Sequence, residues 1–109
     1  MMMVEEIKNR DIRDDSRHFT MTSDKGGTVE FSVSDDDNRM YAYEWVCPEE
    51  GRKFLEELEK YADENGLKLI VVNVINPKLE TVLRKAGYKE CYVEISDLDG
   101  DIIQTFEKK

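Results

Sequence analysis

The sequence contains one histidine, His18, and two cysteines, Cys47 and Cys91, the residue types considered first as a general base or a thiol nucleophile. A catalytic cysteine needs a neighbouring base and a positively charged setting that stabilises its thiolate. Cys47 is followed instead by Glu49 and Glu50, and Cys91 falls on the apolar side of a predicted strand. We therefore expect Cys47 to be structural or incidental and Cys91 to lie in the core. We expect His18, for which the sequence identifies no partner, to be structural or solvent-exposed.

Two acidic segments, 35–37 and 97–101, are the candidates for a cation site. Neither has the ligand spacing or the terminal glutamate of a calcium-binding loop. Both lie between alternating apolar stretches, where a hairpin turn is expected. The sequence therefore predicts turns at these places and no metal site.

Three aromatic residues, Tyr41, Tyr43 and Trp45, follow each other at every second position. Residues with this spacing share one face of a β-strand. They could stack on a ligand. We expect them instead to form one packed face of the strand, with the tyrosine hydroxyls reaching the edge of the sheet.

The charge balance argues against two classes of partner. The 109 residues include 25 acidic and 16 basic side chains, which gives a formal net charge of −9. Nucleic-acid binding needs a basic face, and anionic membrane surfaces also attract basic segments. The sequence has no apolar run near the ~20 residues of a membrane-spanning helix and no signal-peptide pattern. We expect one cytoplasmic domain, residues 1–109, with reduced cysteines.

The alternation of apolar and polar residues predicts an antiparallel three-stranded meander in the first half of the chain. Phe19 and Met21 alternate with polar residues, and the glycines of the segment 24–27 suit a hairpin turn. The three strands are expected at 18–23, 28–34 and 39–46, after a short strand near 3–7.

The second half of the chain alternates helices with strands. Pro48 suits the first turn of a helix over 48–65. Asn76 and Pro77 suit the cap and the first position of a helix over 77–86. Apolar residues recur at helical spacing in both segments. The remaining strands are expected at 68–75, 88–95 and 101–106.

This element order predicts an α+β fold with a mixed sheet, an antiparallel meander followed by β-α-β-α-β-β. A right-handed crossover through the first helix makes the strands 39–46 and 68–75 parallel neighbours. We expect helices on both faces of the sheet. The residues expected to be mostly buried are Leu55, Leu58, Tyr61, Ile70, Val72, Val74, Leu79, Leu83, Val93 and Ile95.

Three segments resemble the GNAT superfamily of N-acetyltransferases. Residues 45–50 look like the end of the family's fourth strand, and 54–68 is similar to the helix after its pyrophosphate loop. The segment 76–88 ends in a family-like Lys-x-Gly-aromatic pattern at Gly87 and Tyr88. The resemblance implies acetyl-CoA as acyl donor and an amine as acceptor. It also implies that the two parallel strands splay apart, with the acyl carbonyl held on the backbone of the first.

The sequence departs from the family at the loop that grips the coenzyme A pyrophosphate. Relatives have an Arg/Gln-x-x-Gly-x-Gly/Ala loop whose backbone N–H groups contact the pyrophosphate. This chain has one glycine there, Gly51, in a shorter segment. Glu49 and Glu50 would repel a diphosphate, and Arg52 and Lys53 only partly offset their charge. The departure predicts that acetyl-CoA binds weakly or not at all.

A second departure concerns the acid that protonates the departing thiolate. Relatives have an asparagine eleven positions before the glycine of the 76–88 motif, as Asn76 is here, and many place a tyrosine seven residues after it; the corresponding residue in this chain is Leu83. Leucine has no proton to donate. The resemblance therefore assigns no catalytic residue in this chain.

Any ligand is expected where the two parallel strands end, because such strands open a crevice at their carboxyl ends. Asn73 is the one polar residue in an apolar strand there. A buried amide needs a partner, either the protein backbone or a ligand. The candidate cofactor-binding residues are Val46, Cys47, Gly51, Arg52, Lys53, Asn73 and Asn76.

Two functions of different classes are compatible with the sequence. The two departures favour a degenerate family member without efficient acetyl-CoA-dependent catalysis, which acts as an interaction or regulatory scaffold for a protein partner. The alternative, favoured by the element order and the 76–88 motif, is an N-acyltransferase that moves an acetyl group from acetyl-CoA to a small amine. Titration with acetyl-CoA discriminates between them.

Overall fold

The computed structural model describes residues 2–7, 17–34, 36–46, 50–74, 76–95 and 102–108. Within these ranges the chain forms seven strands and two helices, in the order expected from the sequence. Neither of these helices is long and apolar enough to cross a membrane. The elements are β1 (Met3–Glu6), β2 (Arg17–Thr22), β3 (Thr28–Ser34), β4 (Arg39–Val46), α1 (Gly51–Glu64), β5 (Lys68–Val74), α2 (Pro77–Lys85), β6 (Tyr88–Ile95) and β7 (Ile102–Lys108).

The seven strands join one mixed sheet in the order β1-β2-β3-β4-β5-β7-β6. Neighbouring strands from β1 to β4 are antiparallel, as predicted for the meander. β4 and β5 are parallel, with Arg39–Ala42 beside Lys68–Val71. β7 lies antiparallel between β5 and β6. The predicted α+β mixed sheet is therefore confirmed, and so is the adjacency of the two strands that flank α1.

Local signals in the sequence set the ends of the helices. The Asn76 side chain accepts a hydrogen bond from the Lys78 backbone N–H at 2.9 Å, and Pro77 is the first residue of α2. Gly66 and Gly87, just after the two helices, have φ angles of 65° and 89°. Residues with a Cβ rarely adopt this conformation. Both helices therefore end close to where the sequence predicts.

The core lies on one face of the sheet, which we call the helical face. Phe31 stacks on Phe19 with ring centroids 5.3 Å apart and meets Tyr61 of α1 edge-on at 5.2 Å. Cross-strand partners on this face are buried in five successive strands: Phe19, Phe31, Ala42, Val71 and Phe106. Of the residues expected to be buried, Tyr61 and Val72 are half-buried. Those that are buried are Leu55, Leu58, Ile70, Val74, Leu79 and Leu83.

Both helices pack on the helical face, so the expectation of one helix on each face is wrong. α1 and α2 contact each other, and Leu79 and Leu83 of α2 share one core with α1. The Arg84 guanidinium of α2 lies 5.1 Å from the centroid of the Phe106 ring. The two right-handed crossovers advance in the same direction across the sheet, from β4 to β5 and on to β6. They therefore place both helices on one side.

The opposite face of the sheet carries mostly polar side chains, with the buried Ile70 of β5 among them, and we call it the polar face. Its residues pair across neighbouring strands, as Thr20 does with Glu30 and Ser32 with Tyr41. Helices thus fill one face of the sheet, while hydrogen-bonding side chains meet on the other. The residues of the polar face include His18, Thr20, Glu30, Ser32, Tyr41 and Tyr43.

β6 forms an edge of the sheet and is more exposed than the sequence predicts. Val93 is 46% exposed, and Cys91 is exposed at a bulge between Glu90 and Tyr92. The expected core positions of Val93 and Cys91 are therefore wrong. An edge strand has a neighbour on one side only, and a bulge turns side chains out of the regular alternation. The side chain of Ile95 lies outside the described part of the chain.

We expect Phe31→Ala to lower the free energy of unfolding by about 3–5 kcal/mol, because it leaves a cavity between the sheet and α1. Val93→Ala is the matched control on the sheet edge and should change the free energy by no more than about 0.5 kcal/mol. Urea titration followed by circular dichroism measures both values. Equal losses in the two variants would contradict this placement of the core.

Candidate functional site

β4 and β5 separate at their carboxyl ends. Their parallel pairing stops after Ala42 and Val71, although β4 continues to Val46 and β5 to Val74. Residues 43–46 and 72–74 thus face each other without a ladder between them, and we call this gap the strand opening. The backbone groups of 43–46 that point toward β5 are left for another hydrogen-bond partner.

A β-bulge at Tyr43 starts the strand opening. Glu44 lies opposite Glu30, and Ala42 lies opposite Phe31, so Tyr43 is an extra residue on β4. A bulge bends its strand and increases the local twist. This bend explains why the end of β4 leaves β5.

The same bulge changes which aromatic side chains share a face. Trp45 packs against the core on the helical face, whereas the Tyr43 hydroxyl bonds to side chains of the polar face. The expectation that Tyr41, Tyr43 and Trp45 form one face is therefore wrong. One extra residue shifts the alternation of a strand by one position.

A second bulge bends β5 on the other side of the strand opening. Between the pairs Val71–Phe106 and Val74–Gln104, β5 has one more residue than β7. Asn73 in this bulge has a φ of 58°, in the left-handed region that asparagine tolerates better than most residues. Its side chain is exposed, so the expected burial of its amide is wrong. Asn73 instead permits the backbone turn of the bulge.

α1 begins at Gly51, shortly after β4 ends. Glu50 is the N-cap residue, with the non-helical angles φ −120° and ψ 16°, and its side chain makes no capping bond. The Glu50 carboxylate instead accepts a 2.8 Å hydrogen bond from the Ser23 hydroxyl, beside the β2–β3 turn. The helix therefore starts later than the predicted Pro48, which itself lies outside the described residues.

The first turn of α1 carries positive charge where helices usually carry negative charge. Arg52 and Lys53 are exposed, and this turn has no carboxylate. Each cation at the positive end of a helix dipole lowers the stability of the helix by about 0.3–1 kcal/mol. The first N–H groups of a helix lack partners within it, and a Cβ added at Gly51 would meet no described atom within 4 Å. The turn therefore offers N–H groups and two cations to an anion, against the repulsion of the N-cap carboxylate of Glu50.

The seven candidate cofactor-binding residues lie in separate parts of the fold. Val46, 56% exposed, and Asn73 line the strand opening. Gly51, Arg52 and Lys53 form the first turn of α1. The side-chain oxygen of Asn76 is engaged in capping α2, and Cys47 lies outside the described residues. Leu83, at the position of the family's tyrosine, is fully buried in the core.

The described ranges offer few groups for metal binding or for nucleophilic catalysis. They hold no group of three or more side chains that could bind a metal ion. Asp36 and Asp37 are exposed in the β3–β4 turn, and the other acidic candidates, Asp35 and the segment 97–101, lie outside these ranges. Local desolvation raises the pKa of the Cys91 thiol, and the Glu107 carboxylate raises it further. A reactive thiolate is therefore disfavoured at Cys91.

We expect Asn73→Ala to lower the free energy of unfolding by about 1 kcal/mol, because a left-handed backbone brings Cβ against the next carbonyl oxygen. Asn73→Gly is the matched variant and should be neutral or slightly stabilising, since glycine adopts this conformation freely. Thermal unfolding of both variants measures the difference. If both lost the same stability, the amide rather than the backbone conformation would be the important feature, contrary to this account.

No family model and no curated protein matches the sequence, but solved structures resemble the fold. The crystal structure of nourseothricin acetyltransferase matches with a TM-score of 0.65 and 23% identity, over 91% of this chain and 68% of that chain. A protein assigned as an acetyltransferase, from Agrobacterium tumefaciens, matches with a TM-score of 0.64 and 17% identity, over 98% and 74% of the two chains. A protein assigned to the GNAT family, from Bordetella pertussis, gives a TM-score of 0.58 and 13% identity, over 86% and 66%.

At these identities the likeness concerns the arrangement of helices and strands. The match extends over most of this chain, and it includes the mixed sheet in which β4 and β5 are parallel. The resemblance found in the sequence is thereby confirmed at the level of architecture. This chain has the fold of the GNAT acetyltransferases.

Proposed function

We propose that the chain is an N-acyltransferase that takes an acetyl group from acetyl-CoA and transfers it to an amine. The strand opening is the observation that carries this proposal. A thioester carbonyl beside β4 would find backbone donors there that none of the described strands uses. Preorganised donors of this kind stabilise the negative charge that develops on a carbonyl oxygen during acyl transfer.

The residues around the strand opening fit an acyl-CoA. Residues 43–46 offer backbone groups for the thioester carbonyl and for the amides of the pantetheine arm. The indole Nε1 of Trp45 is buried and has no hydrogen-bond partner among the described residues. A buried donor in this state costs about 1–3 kcal/mol. The first turn of α1 offers Arg52 and Lys53 to the diphosphate, and the N-cap carboxylate of Glu50 partly offsets their attraction, in line with weak donor binding.

The chain's own residues would have limited roles in the transfer. The backbone of β4 orients and polarises the carbonyl, and the first turn of α1 holds the anionic end of the donor. Leu83 supplies no proton, so the departing thiolate takes its proton from water or from the acceptor. The single glycine before α1 leaves fewer N–H contacts than the loop of relatives. Losing two such bonds weakens binding by roughly a hundredfold, and we therefore propose weak donor binding.

The scaffold function favoured from the sequence has no support in the described structure. The three similar structures are of acetyltransferases or of proteins assigned as such. We therefore propose acyl transfer, which was the alternative function predicted from the sequence. The net charge of −9 favours a cationic acceptor through electrostatic steering.

Calorimetric titration with acetyl-CoA tests the proposal, with S-acetylpantetheine as a donor that lacks the diphosphate. We expect acetyl-CoA to bind and S-acetylpantetheine to bind about tenfold more weakly, because only acetyl-CoA reaches the first turn of α1. Trp45 is the sole tryptophan, so its fluorescence should report the same titration. No binding of acetyl-CoA at millimolar concentration would refute the proposal.

We expect Arg52→Glu to weaken acetyl-CoA binding by about tenfold at low salt, and less at high salt. The Arg52 side chain is 86% exposed and its pairing with Glu56 is a surface contact, so the variant should fold normally. Lys60→Glu makes the same charge change farther along α1, also at an exposed position. Equal weakening in both variants would show only a general charge effect and would contradict a diphosphate site at the first turn.

A further inference from the structure

Ser23 closes the hairpin loop that joins β2 to β3. Its backbone N–H donates to the Gly27 carbonyl at 2.9 Å, and its carbonyl accepts from the Gly26 N–H at 3.0 Å. The Ser23 hydroxyl oxygen also accepts a 3.1 Å hydrogen bond from the Gly27 N–H. Gly26 has a φ of 87°, the left-handed conformation typical of a three-residue hairpin loop. Ser23 is 8% exposed, so its side chain is buried and held at the base of the loop.

The remaining hydrogen-bonding capacity of this hydroxyl is directed at the start of α1. Its oxygen accepts from Gly27, which leaves its single hydrogen for another partner. The hydroxyl donates that hydrogen to Glu50 Oε1 at 2.8 Å. A carboxylate can only accept such a bond, and hydrogen bonds to charged acceptors are the stronger kind. The Glu50 side chain is therefore attached to the β2–β3 loop.

This attachment keeps Glu50 from capping its own helix. Glu50 is the N-cap residue of α1, yet its side chain makes no capping bond. Carboxylates are normally favoured at this end of a helix, because the helix dipole is positive there and the first N–H groups have no partner within the helix. By bonding to Ser23, the Glu50 carboxylate leaves those N–H groups available.

The same N–H groups are the ones that a diphosphate would use. The exposed cations Arg52 and Lys53 lie in the first turn of α1, which contains no carboxylate. A Glu50 side chain turned toward this turn would pair with the cations and occupy the N–H groups. It would then compete directly with an anionic ligand. The bond to Ser23 removes this competitor from the site, although the Glu50 charge still acts from the side.

We infer that Ser23 is a positioning residue for the acyl donor, which keeps the diphosphate site at the first turn of α1 free of the Glu50 carboxylate. This inference rests on the proposed acyltransferase function. Ser23 acts through Glu50 and is not a catalytic residue. Loss of the contact should therefore weaken the binding of a donor that carries a diphosphate and leave a donor without one unaffected.

Glu50→Asp tests the inference without changing the charge or the β2–β3 loop. Aspartate is one methylene shorter, so it loses the bond to Ser23, and it is among the most favoured N-cap residues. We expect it to cap α1 and to weaken acetyl-CoA binding by about tenfold in calorimetric titration. S-acetylpantetheine should bind within about twofold of the parent. The two donors should then have nearly equal affinities for this variant.

Ser23→Ala breaks the contact from the other side, and we expect the same loss of acetyl-CoA affinity with S-acetylpantetheine unaffected. The variant also removes the side-chain partner of the Gly27 N–H, and thermal unfolding measures the resulting loss of stability. Ser32→Ala is the matched control. Ser32 is the other buried serine of the described residues, 9% exposed, and its replacement should change acetyl-CoA affinity by no more than about twofold. Should Ser23→Ala fail to fold, Glu50→Asp alone decides the question.

A double-mutant cycle with Glu50→Ala separates a role through Glu50 from a purely structural role of Ser23. Glu50→Ala should strengthen acetyl-CoA binding by about threefold, because it removes a negative charge beside the diphosphate. Adding Ser23→Ala to it should change the affinity by no more than about twofold, since no carboxylate is left to hold. A tenfold loss from Ser23→Ala in both backgrounds would show that the loop alone matters and would overturn the inference.

The outcomes separate this inference from the proposed function. If the parent chain does not bind acetyl-CoA at millimolar concentration, both fail, because the site then takes no diphosphate. If the parent binds acetyl-CoA and Glu50→Asp binds it equally well, the positioning role of Ser23 is wrong while the donor site stands. The same conclusion follows if Glu50→Asp weakens acetyl-CoA and S-acetylpantetheine to the same extent.

Discussion

The geometry of the candidate site depends on the point where the hydrogen-bond ladder between β4 and β5 stops. Ala42 and Val71 are the last paired residues, and a bulge follows on each strand, at Tyr43 in β4 and around Asn73 in β5. The two bulges end the parallel pairing and produce the strand opening. They also determine which side chains of 43–46 face the helices and which face the polar side.

The rest of the fold keeps the strand opening in place. The row of buried partners from Phe19 to Phe106 crosses the sheet at the last paired residues, Ala42 and Val71, which are both fully buried. Because tightly packed interiors resist local rearrangement, the two strands are held firmly just before they diverge. The contact between Ser23 and Glu50 ties the β2–β3 turn to the start of α1. The strand opening therefore begins beside a packed part of the fold.

Periodicity alone predicted the order of the elements, the parallel pair and most of the core, because alternating and helical spacing follow directly from burial on one face. The bulges were missed, although β4 carries a sign of one. Its apolar positions change from even to odd between Ala42 and Trp45. Asn73 in an apolar strand was a similar sign, since asparagine tolerates a positive φ. The exposure of Val93 could not be foreseen, because it depends on β7 inserting between β5 and β6. The hydrogen bond between His18 and Tyr43 depends on the same bulge and is invisible in the sequence order.

The most direct test of the central claim is an NMR titration of the ¹⁵N-labelled chain with acetyl-CoA, following the backbone amides one by one. The account predicts the largest shifts for residues 43–46 and for the first turn of α1 at Gly51, Arg52 and Lys53, with smaller shifts along the paired stretch 39–42. Shifts confined to other parts of the sheet, or no shifts at millimolar acetyl-CoA, would contradict a donor site at the strand opening.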